Sequence, residues 1–198
     1  MELLVVLAII ATLAAISVPA VGGMMRSYSL SSTAQAILGQ LSFGRQDALA
    51  NNRAVQVRIY QIKNNAGNLV YRAIQTFRET TNSQGTDVIV PITKAYIFPT
   101  GISIVYSATV TAPSTLFTTA TSGAVISAKD TNNPLPPPYG ASPYLCFRFR
   151  PNGQTDLLAP STLTIAPESA KIVANNLPAN FITLQIDDVN GVVRTYQP

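Results

Sequence analysis

The N-terminal part of the chain is a continuous apolar segment. Between Glu2 and Arg26 there is no ionisable side chain across the 23 residues from Leu3 to Met25. As a helix this run would be about 34 Å long, enough for a hydrocarbon core of about 30 Å. A cleaved secretory signal would have a shorter apolar region after a basic start, and no basic residue precedes this run. The pattern predicts a retained transmembrane helix over residues 1–25.

The helix is expected to continue as an amphipathic segment over residues 26–52. Apolar residues recur there at gaps of three, four and seven, which mark one helical face. They are Leu30, Ala34, Ile37, Leu38, Leu41, Ala48 and Leu49. Within the apolar run, Pro19 and the Gly22-Gly23 pair weaken the helix and predict a kink or a melted turn between about 16 and 25.

Beyond residue 52 the period becomes alternating. Apolar Val55, Val57 and Ile59 alternate with Gln56, Arg58 and Tyr60, which is typical of a half-buried strand. The turn at 64–68 and the run 69–77 complete a hairpin, and Asp188-Val189-Asn190-Gly191 marks a closing hairpin between 182–186 and 192–196. Further predicted strands are 88–92, 95–98, 102–110, 144–150, 169–174 and 181–187.

These elements predict an α+β fold, in which a long kinked N-terminal helix packs on an antiparallel β-sheet domain over residues 53–198. Residues 130–143 contain five prolines in fourteen positions, which favours an extended or irregular surface loop. No chemistry is assigned to that loop, and a recognition role is left open.

Composition narrows the functions. Only 11% of residues are charged while 47% are hydrophobic, and the 13 basic residues are scattered instead of clustered, so the net charge of +4 defines no nucleic-acid footprint. Cys146 is alone and cannot form an intrachain disulfide; a buried small residue is the favoured interpretation over a reactive thiol. Because histidine is absent, a Ser-His-Asp relay and a typical zinc site are excluded, and no cofactor or metal is expected.

The N-terminal residues MELLVVLAIIATLAAISVP resemble the start of type IV pilins and type II secretion pseudopilins. The matching features are the single acid Glu2, the apolar run and a proline at Pro19, seventeen residues after that acid. The resemblance implies a pilin-like subunit in the bacterial inner membrane, single-pass, with its C-terminal domain in the periplasm. It then enters an extracellular or periplasmic filament. Implied partners are other pilin subunits, an inner-membrane assembly platform, a prepilin peptidase acting on the precursor, and the lipid bilayer.

The same resemblance gives roles to four assembly residues. Glu2 would neutralise the N-terminal amine of a neighbouring subunit in the filament, although a carboxylate so near a chain end could also sit among lipid headgroups. Pro19, Gly22 and Gly23 would mark where the helix melts as subunits stack; the alternative is an ordinary proline kink in a membrane helix. When the sequence is aligned with the family, Met1 corresponds to the fourth residue of a mature pilin. Cleavage of a precursor is therefore implied by the family resemblance alone.

Within the superfamily, residues 144–153 and 190–194 resemble the minor pseudopilin branch related to general-secretion protein H and FimT. That branch suggests an alternative function, DNA binding for DNA uptake, through a basic Gly-Arg-x-Arg element. Here the element is Gly191, Val192, Val193 and Arg194, so its first arginine is missing and one phosphate contact is lost. DNA binding would require Arg194 to cluster with Arg148, Arg150 or Lys171.

An enzyme is the third hypothesis and has the least support. Asp187 and Asp188 are adjacent, so in a strand they would point to opposite faces, and the start of a turn explains them better than a catalytic pair. No glycine-rich phosphate loop occurs either. The chain is therefore predicted to be a non-enzymatic structural subunit.

Overall fold

The computed structural model describes residues 2–106, 114–116, 126–127, 129–169 and 178–197; within these, the side chains of residues 2, 8, 14–22, 126 and 127 are not described. One helix, α1, runs from Glu2 to Asn51. Its backbone is helical through residues 16–25, so the melted-turn alternative is wrong for the chain outside a filament. A proline removes only one backbone hydrogen bond, and the helix can continue on both sides of it. A kink between about residues 16 and 25 stays a prediction.

A single antiparallel sheet follows the helix. Its described strands are β1 (Val55–Lys63), β2 (Leu69–Thr81), β3 (Asp87–Pro91), β4 (Tyr96–Ile97), β5 (Ile102–Ile104), β6 (Ile126–Ser127), β7 (Tyr144–Phe149), β8 (Ser161–Pro167), β9 (Ile182–Ile186) and β10 (Val193–Tyr196). The order is β10-β9-β8-β5-β2-β1-β7-β6, and β3 and β4 also pair with β2. Central β1 and β2 form the predicted first hairpin in the register Val55↔Arg78 to Lys63↔Leu69, with one irregularity at Tyr60/Gln61.

The predicted strands differ from the observed ones in several places: β2 continues to Thr81, beyond the predicted end at residue 77, and the short strand β6 is not among the predicted strands. Strand β5 ends at Ile104, and residues 107–110 of that prediction lie outside the described residues. In the predicted strand 169–174, Ser169 belongs to a turn and the rest is not described. Strand β8 is not among the predicted strands. Thr162-Leu163-Thr164-Ile165 alternates between polar and apolar residues as a strand should, but Pro160 and Pro167 flank it closely and argue against a regular strand.

The second half of α1 packs on one face of the sheet. Leu30, Ala34, Ile37, Leu41 and Ala48 are buried in the larger core cluster, as their spacing predicted. Leu38 is only partly buried and Leu49 is exposed. Because an α-helix has 3.6 residues per turn, the buried face turns gradually around the helix, and these two positions lie at its edge.

Close contact between helix and sheet depends on a glycine. A Cβ at Gly44 would lie 3.3 Å from Val55 Cγ1 and 3.4 Å from Thr76 Cγ2, which is tighter than most real contacts. A larger residue would therefore push the helix away from β1 and β2.

The opposite face of the sheet is also covered, which corrects two expectations. Strand β1 is buried on both faces, so the half-buried interpretation is wrong for Gln56, Arg58 and Tyr60. Part of the cover is the proline-rich segment 130–143, whose Leu135 is buried in a second apolar cluster with Tyr139 packed against it. That segment is therefore more than a surface loop, since a proline-rich chain carries few backbone donors that need partners when it lies on apolar groups.

Candidate assembly helix and the charges of the sheet domain

The first turns of α1 are apolar and uncovered. Eight large side chains between residues 3 and 13 have 53–84% of their surface exposed. They are Leu3, Leu4, Val5, Val6, Leu7, Ile9, Ile10 and Leu13. Thr12 is a polar residue in the same stretch. Its hydroxyl donates to the carbonyl of Ile9 at 2.8 Å, so its hydrogen bond is made within the helix. A helix that is apolar on all sides is stable only where other apolar groups surround it.

In the described part of the chain, no helical stretch meets the combined length and apolarity required to cross a bilayer.

Of the four predicted assembly residues, only Gly23 has its surroundings described. It is exposed, and a Cβ added there would meet nothing within 4 Å, so the fold itself does not require a glycine at this position. Glu2, Pro19 and Gly22 lie outside the described side chains. The assembly roles of all four stay predictions.

Polar contacts fix the second half of α1 to the sheet. Asp47 is buried and accepts hydrogen bonds from both Arg78 Nε, at 2.8 Å, and the Arg78 terminal nitrogen. Asn51 Nδ2 donates to Asp47 Oδ1 at 3.0 Å. The hydrogen bond to Asp47 holds the pKa of Arg78 above its ordinary value. A two-point charge pair of this kind fixes both distance and orientation, so the end of the helix cannot rotate on the sheet.

The helix also forms hydrogen bonds to two loops of the sheet domain. Gln40 Nε2 donates to the Lys94 carbonyl at 3.1 Å and accepts from the Thr93 hydroxyl at 3.2 Å. Arg45 Nε donates to the carbonyl of Asn190 at 2.7 Å, at the tip of the closing hairpin. Elements distant in sequence are thus attached to one face of α1, and the helix and sheet form one unit.

A buried arginine lies on the other face of the sheet. Arg58 is 1% exposed, with its guanidinium carbon 4.3 Å from the centres of both the Phe77 and Tyr144 rings. Its Nε donates to Gln56 Oε1 at 2.6 Å, and a terminal nitrogen donates to Asp130 Oδ2 at 2.7 Å. Sequence reasoning missed this cluster, because an arginine that alternates with valine and isoleucine is usually solvent-facing.

The Arg58 cluster shifts three pKa values. Burial alone would raise the pKa of Asp130, but hydrogen bonds from Arg58, Asn133 and the Asn132 backbone lower it to about 2. Burial would lower the pKa of Arg58, but Asp130 and nearby tyrosines leave it raised. Burial raises the pKa of Tyr60 to about 12. The arginine is therefore charged throughout the physiological range, and Asp130 ties the proline-rich segment to the sheet.

The arginines considered for DNA are not equivalent. Arg148 Nε donates to Glu79 Oε1 at 2.5 Å, and its terminal nitrogen lies 3.9 Å from Asp156 Oδ2. Arg150, just after β7, and Arg194, on β10, are exposed, and the turn before β10 lies against the loop after β7, because a Cβ at Gly191 would be 2.3 Å from the Gly153 carbonyl. Lys171 lies outside the described residues. Since two carboxylates already neutralise Arg148, it offers little charge to a phosphate, and DNA contact at these positions stays a prediction.

The acidic pair is part of a turn, as expected. Asp187 Oδ1 accepts hydrogen bonds from the backbone N–H of Val189 at 3.0 Å and of Asn190 at 3.1 Å. Burial raises the pKa of another acid, Asp156, although its hydrogen bond to the Arg148 backbone opposes that rise. Among the described residues, no group of three or more histidine, cysteine or acidic side chains could hold a metal ion. Cys146 is buried, as its alternation with Leu145 and Phe147 predicted.

No known family model and no curated protein matches this chain. Among solved structures, the minor pseudopilin EpsH from the type 2 secretion system of Vibrio cholerae is similar with a TM-score of 0.48 and 13% sequence identity, over 86% of this chain and 98% of that chain. The type IV minor pilin FimU of Pseudomonas aeruginosa PAO1 is similar with a TM-score of 0.46 and 12% identity, over 85% of this chain and 92% of that chain.

Proposed function

We propose that this chain is a structural subunit, a pilin or minor pseudopilin, of a type IV pilus or type II secretion-like filament. The observation that carries the proposal is the contrast between the two halves of α1. Residues 30–48 are packed into the sheet domain, whereas the apolar side chains of residues 3–13 are uncovered. A half-covered helix of this kind is suited to packing against copies of itself or against lipid.

The exposed apolar side chains of α1 need to be covered, either by lipid or by neighbouring helices. Transferring one Leu, Ile or Val side chain out of water contributes about 1.5–3 kcal/mol, so covering the eight exposed side chains contributes on the order of 10–20 kcal/mol relative to water. Lipid and neighbouring helices both provide this gain. The exchange of one for the other is therefore driven by close packing between helices and by contacts between sheet domains.

In the proposed mechanism the subunit is anchored in the inner membrane before assembly as a single-pass protein, with the sheet domain in the periplasm. Apolar helices of neighbouring subunits then replace lipid as the subunit enters the filament. Glu2 neutralises a neighbour's N-terminal amine, and Pro19, Gly22 and Gly23 allow the helix to open there during stacking. The apolar run from Leu3 to Met25, with the isolated acid Glu2 before it and Pro19 within it, supports these steps.

The test is incorporation into filaments in the native cell. We would purify surface filaments and detect the chain by mass spectrometry and electron microscopy, for the parent and for two matched variants. Leu7 and Leu158 are similarly exposed, at 66% and 62%, one on the apolar half of α1 and one on the sheet domain. Leu7→Lys should abolish incorporation and Leu158→Lys should preserve it.

The amount and position of the chain separate the possible subunit types. Abundance along the fibre would identify a major pilin, whereas trace amounts at a tip would identify a minor pseudopilin. Absence of the parent chain from every filament, with the protein present in the cell, would refute the proposed assembly. Equal incorporation of both lysine variants would show that the apolar half of α1 is not the assembly element.

A further inference from the structure

One end of the sheet domain lies beside the point where the exposed apolar part of α1 ends. We call this end the base. Strand β1 leaves the far end of α1 and runs back along it, which brings the turn at 64–66 next to Met25 and Ser29. Together with Arg26 and the loops at 100–102 and 167–169, these residues enclose a cleft of about 460 Å³. The base therefore faces the lipid or the neighbouring subunits that surround the apolar part of α1.

The base carries exposed cations. Arg26 lines the cleft, and Lys63 ends β1 at the adjoining hairpin. Lys129 lines a second cleft with Lys63. In the described part of the chain, none of these three side chains takes part in an ion pair within 4 Å. Each is therefore available to a partner outside the molecule.

The nearby acids are already bound to buried arginines. Glu168 lines the Arg26 cleft, but its Oε1 lies 3.1 Å from Arg72 Nε and its Oε2 accepts from Asn64 at 3.1 Å. Asp130 is held by Arg58 at 2.7 Å. The Glu168 and Asp130 carboxylates are thus matched by other charges, and the base keeps a positive surplus.

The position of this surplus positive charge along α1 indicates what the base would bind. At 1.5 Å per residue, Leu3 to Met25 covers about 34 Å, which places Arg26 just beyond an apolar layer of about 30 Å. Tyr28 follows with 76% exposure, and tyrosine is enriched at the boundary between hydrocarbon and water. Arginine and tyrosine at this level are suited to the phosphate region of a bilayer.

We propose that the base docks on an anionic bilayer surface, with Arg26, Lys63 and Lys129 contacting lipid phosphate groups. This inference rests on the membrane-anchored state proposed above and adds a lipid preference to it. Each basic residue at such a surface changes the ratio of docked to undocked domain about fivefold, so the three together are worth on the order of 100-fold. Docking would hold the sheet domain at a fixed tilt before the helix leaves the membrane.

The experiment measures whether the base touches headgroups. The full chain is reconstituted in lipid nanodiscs that contain a headgroup-labelled quencher, with either neutral phosphatidylcholine or added phosphatidylglycerol. A fluorophore is attached at Asn65→Cys, in the base, or at Asn190→Cys, in the closing hairpin at the opposite end. Since native Cys146 is buried, the parent chain serves as the labelling blank.

Two variants with equal charge loss provide the comparison. The base variant is Arg26→Gln, Lys63→Gln and Lys129→Gln. The control variant replaces three exposed arginines at the opposite end, Arg53→Gln, Arg150→Gln and Arg194→Gln. We expect the label at 65 to be quenched in anionic discs and that at 190 not to be. The base variant should lose at least two thirds of the quenching, and the control should keep it.

Each other result overturns the inference. Quenching at 65 that is equal in neutral and anionic discs, or that falls equally in both variants, refutes phosphate contact by the base while the anchored state stands. A chain that does not co-elute with discs of either composition refutes the membrane anchor, and with it the docking. The two failures are thus distinguished by co-elution alone.

Discussion

Removing the charge of Asp130 should destabilise the sheet domain much more than removing that of another acid paired with arginine. Asp130→Asn keeps the shape of the side chain and an oxygen that can accept from the Asn132 backbone, now at 2.9 Å. It takes away the carboxylate 2.7 Å from Arg58, which is 1% exposed. The guanidinium would then remain charged between two aromatic rings, with Gln56 as its remaining acceptor at 2.6 Å.

The magnitude follows from burial. Breaking a fully buried ion pair costs about 3–5 kcal/mol, whereas a hydrogen bond to a charged group is worth about 1.5–3 kcal/mol. Because the Asp130 side chain is 18% exposed and the stacking on Phe77 and Tyr144 remains, we expect a loss of about 2–3 kcal/mol in the free energy of unfolding. The matched control is Glu79→Gln, whose partner Arg148 is 46% exposed, and its expected loss is below about 1 kcal/mol.

The assay is denaturant unfolding of the full chain in detergent micelles, followed by circular dichroism. A double-mutant cycle with Arg58→Met then measures the coupling between Arg58 and Asp130, which should exceed about 1 kcal/mol because the methionine leaves no buried charge behind. If Asp130→Asn were no more harmful than Glu79→Gln, or if the two changes in the cycle were additive, the ion pair would not be what holds the proline-rich segment.

Three further predictions concern the same domain. The pKa of Asp130 is about 2 in the folded chain, below its ordinary value of 3.8. Its contribution to the free energy of unfolding is therefore complete above about pH 5 and is lost as the pH falls towards 2. Unfolding experiments at pH 3 and pH 6 should show a smaller difference in stability between the parent and Asp130→Asn at the lower pH. Gly191→Ala places a Cβ 2.3 Å from the Gly153 carbonyl at a φ of +66°, whereas Gly67→Ala at +82° has nothing within 4 Å. Thermal melts should show a loss of about 1–2 kcal/mol for residue 67 and clearly more for residue 191, and equal losses would contradict the close approach. Asp47→Asn should cost about 2–3 kcal/mol in denaturant titrations and increase hydrogen exchange in the last turns of α1; unchanged exchange there would refute its clamping role.

The helix and the hairpins were largely predictable, because their determinants are local. Spacings of three and four predicted the buried face of α1 at Leu30, Ala34 and Ile37. Polar turn residues predicted the hairpin turns at 64–68 and 188–191. In the structure, the side chains of Asn64 and of Asp187, just before the second turn, accept hydrogen bonds from the turn backbone. The missed strand β8 carried an alternating signal, which its flanking prolines obscured.

For the candidate assembly site, the sequence alone determined the apolar run and its isolated acid, since length and apolarity are properties of consecutive residues. Only the tertiary structure decided that Arg58 is buried, that Asp130 reaches it across 72 positions, and that Arg148 is neutralised by Glu79 and Asp156. Alternation identifies two faces of a strand but not what covers the second one. That depends on where a distant, proline-rich segment can lie, which is settled by packing and charge pairing across the whole sheet.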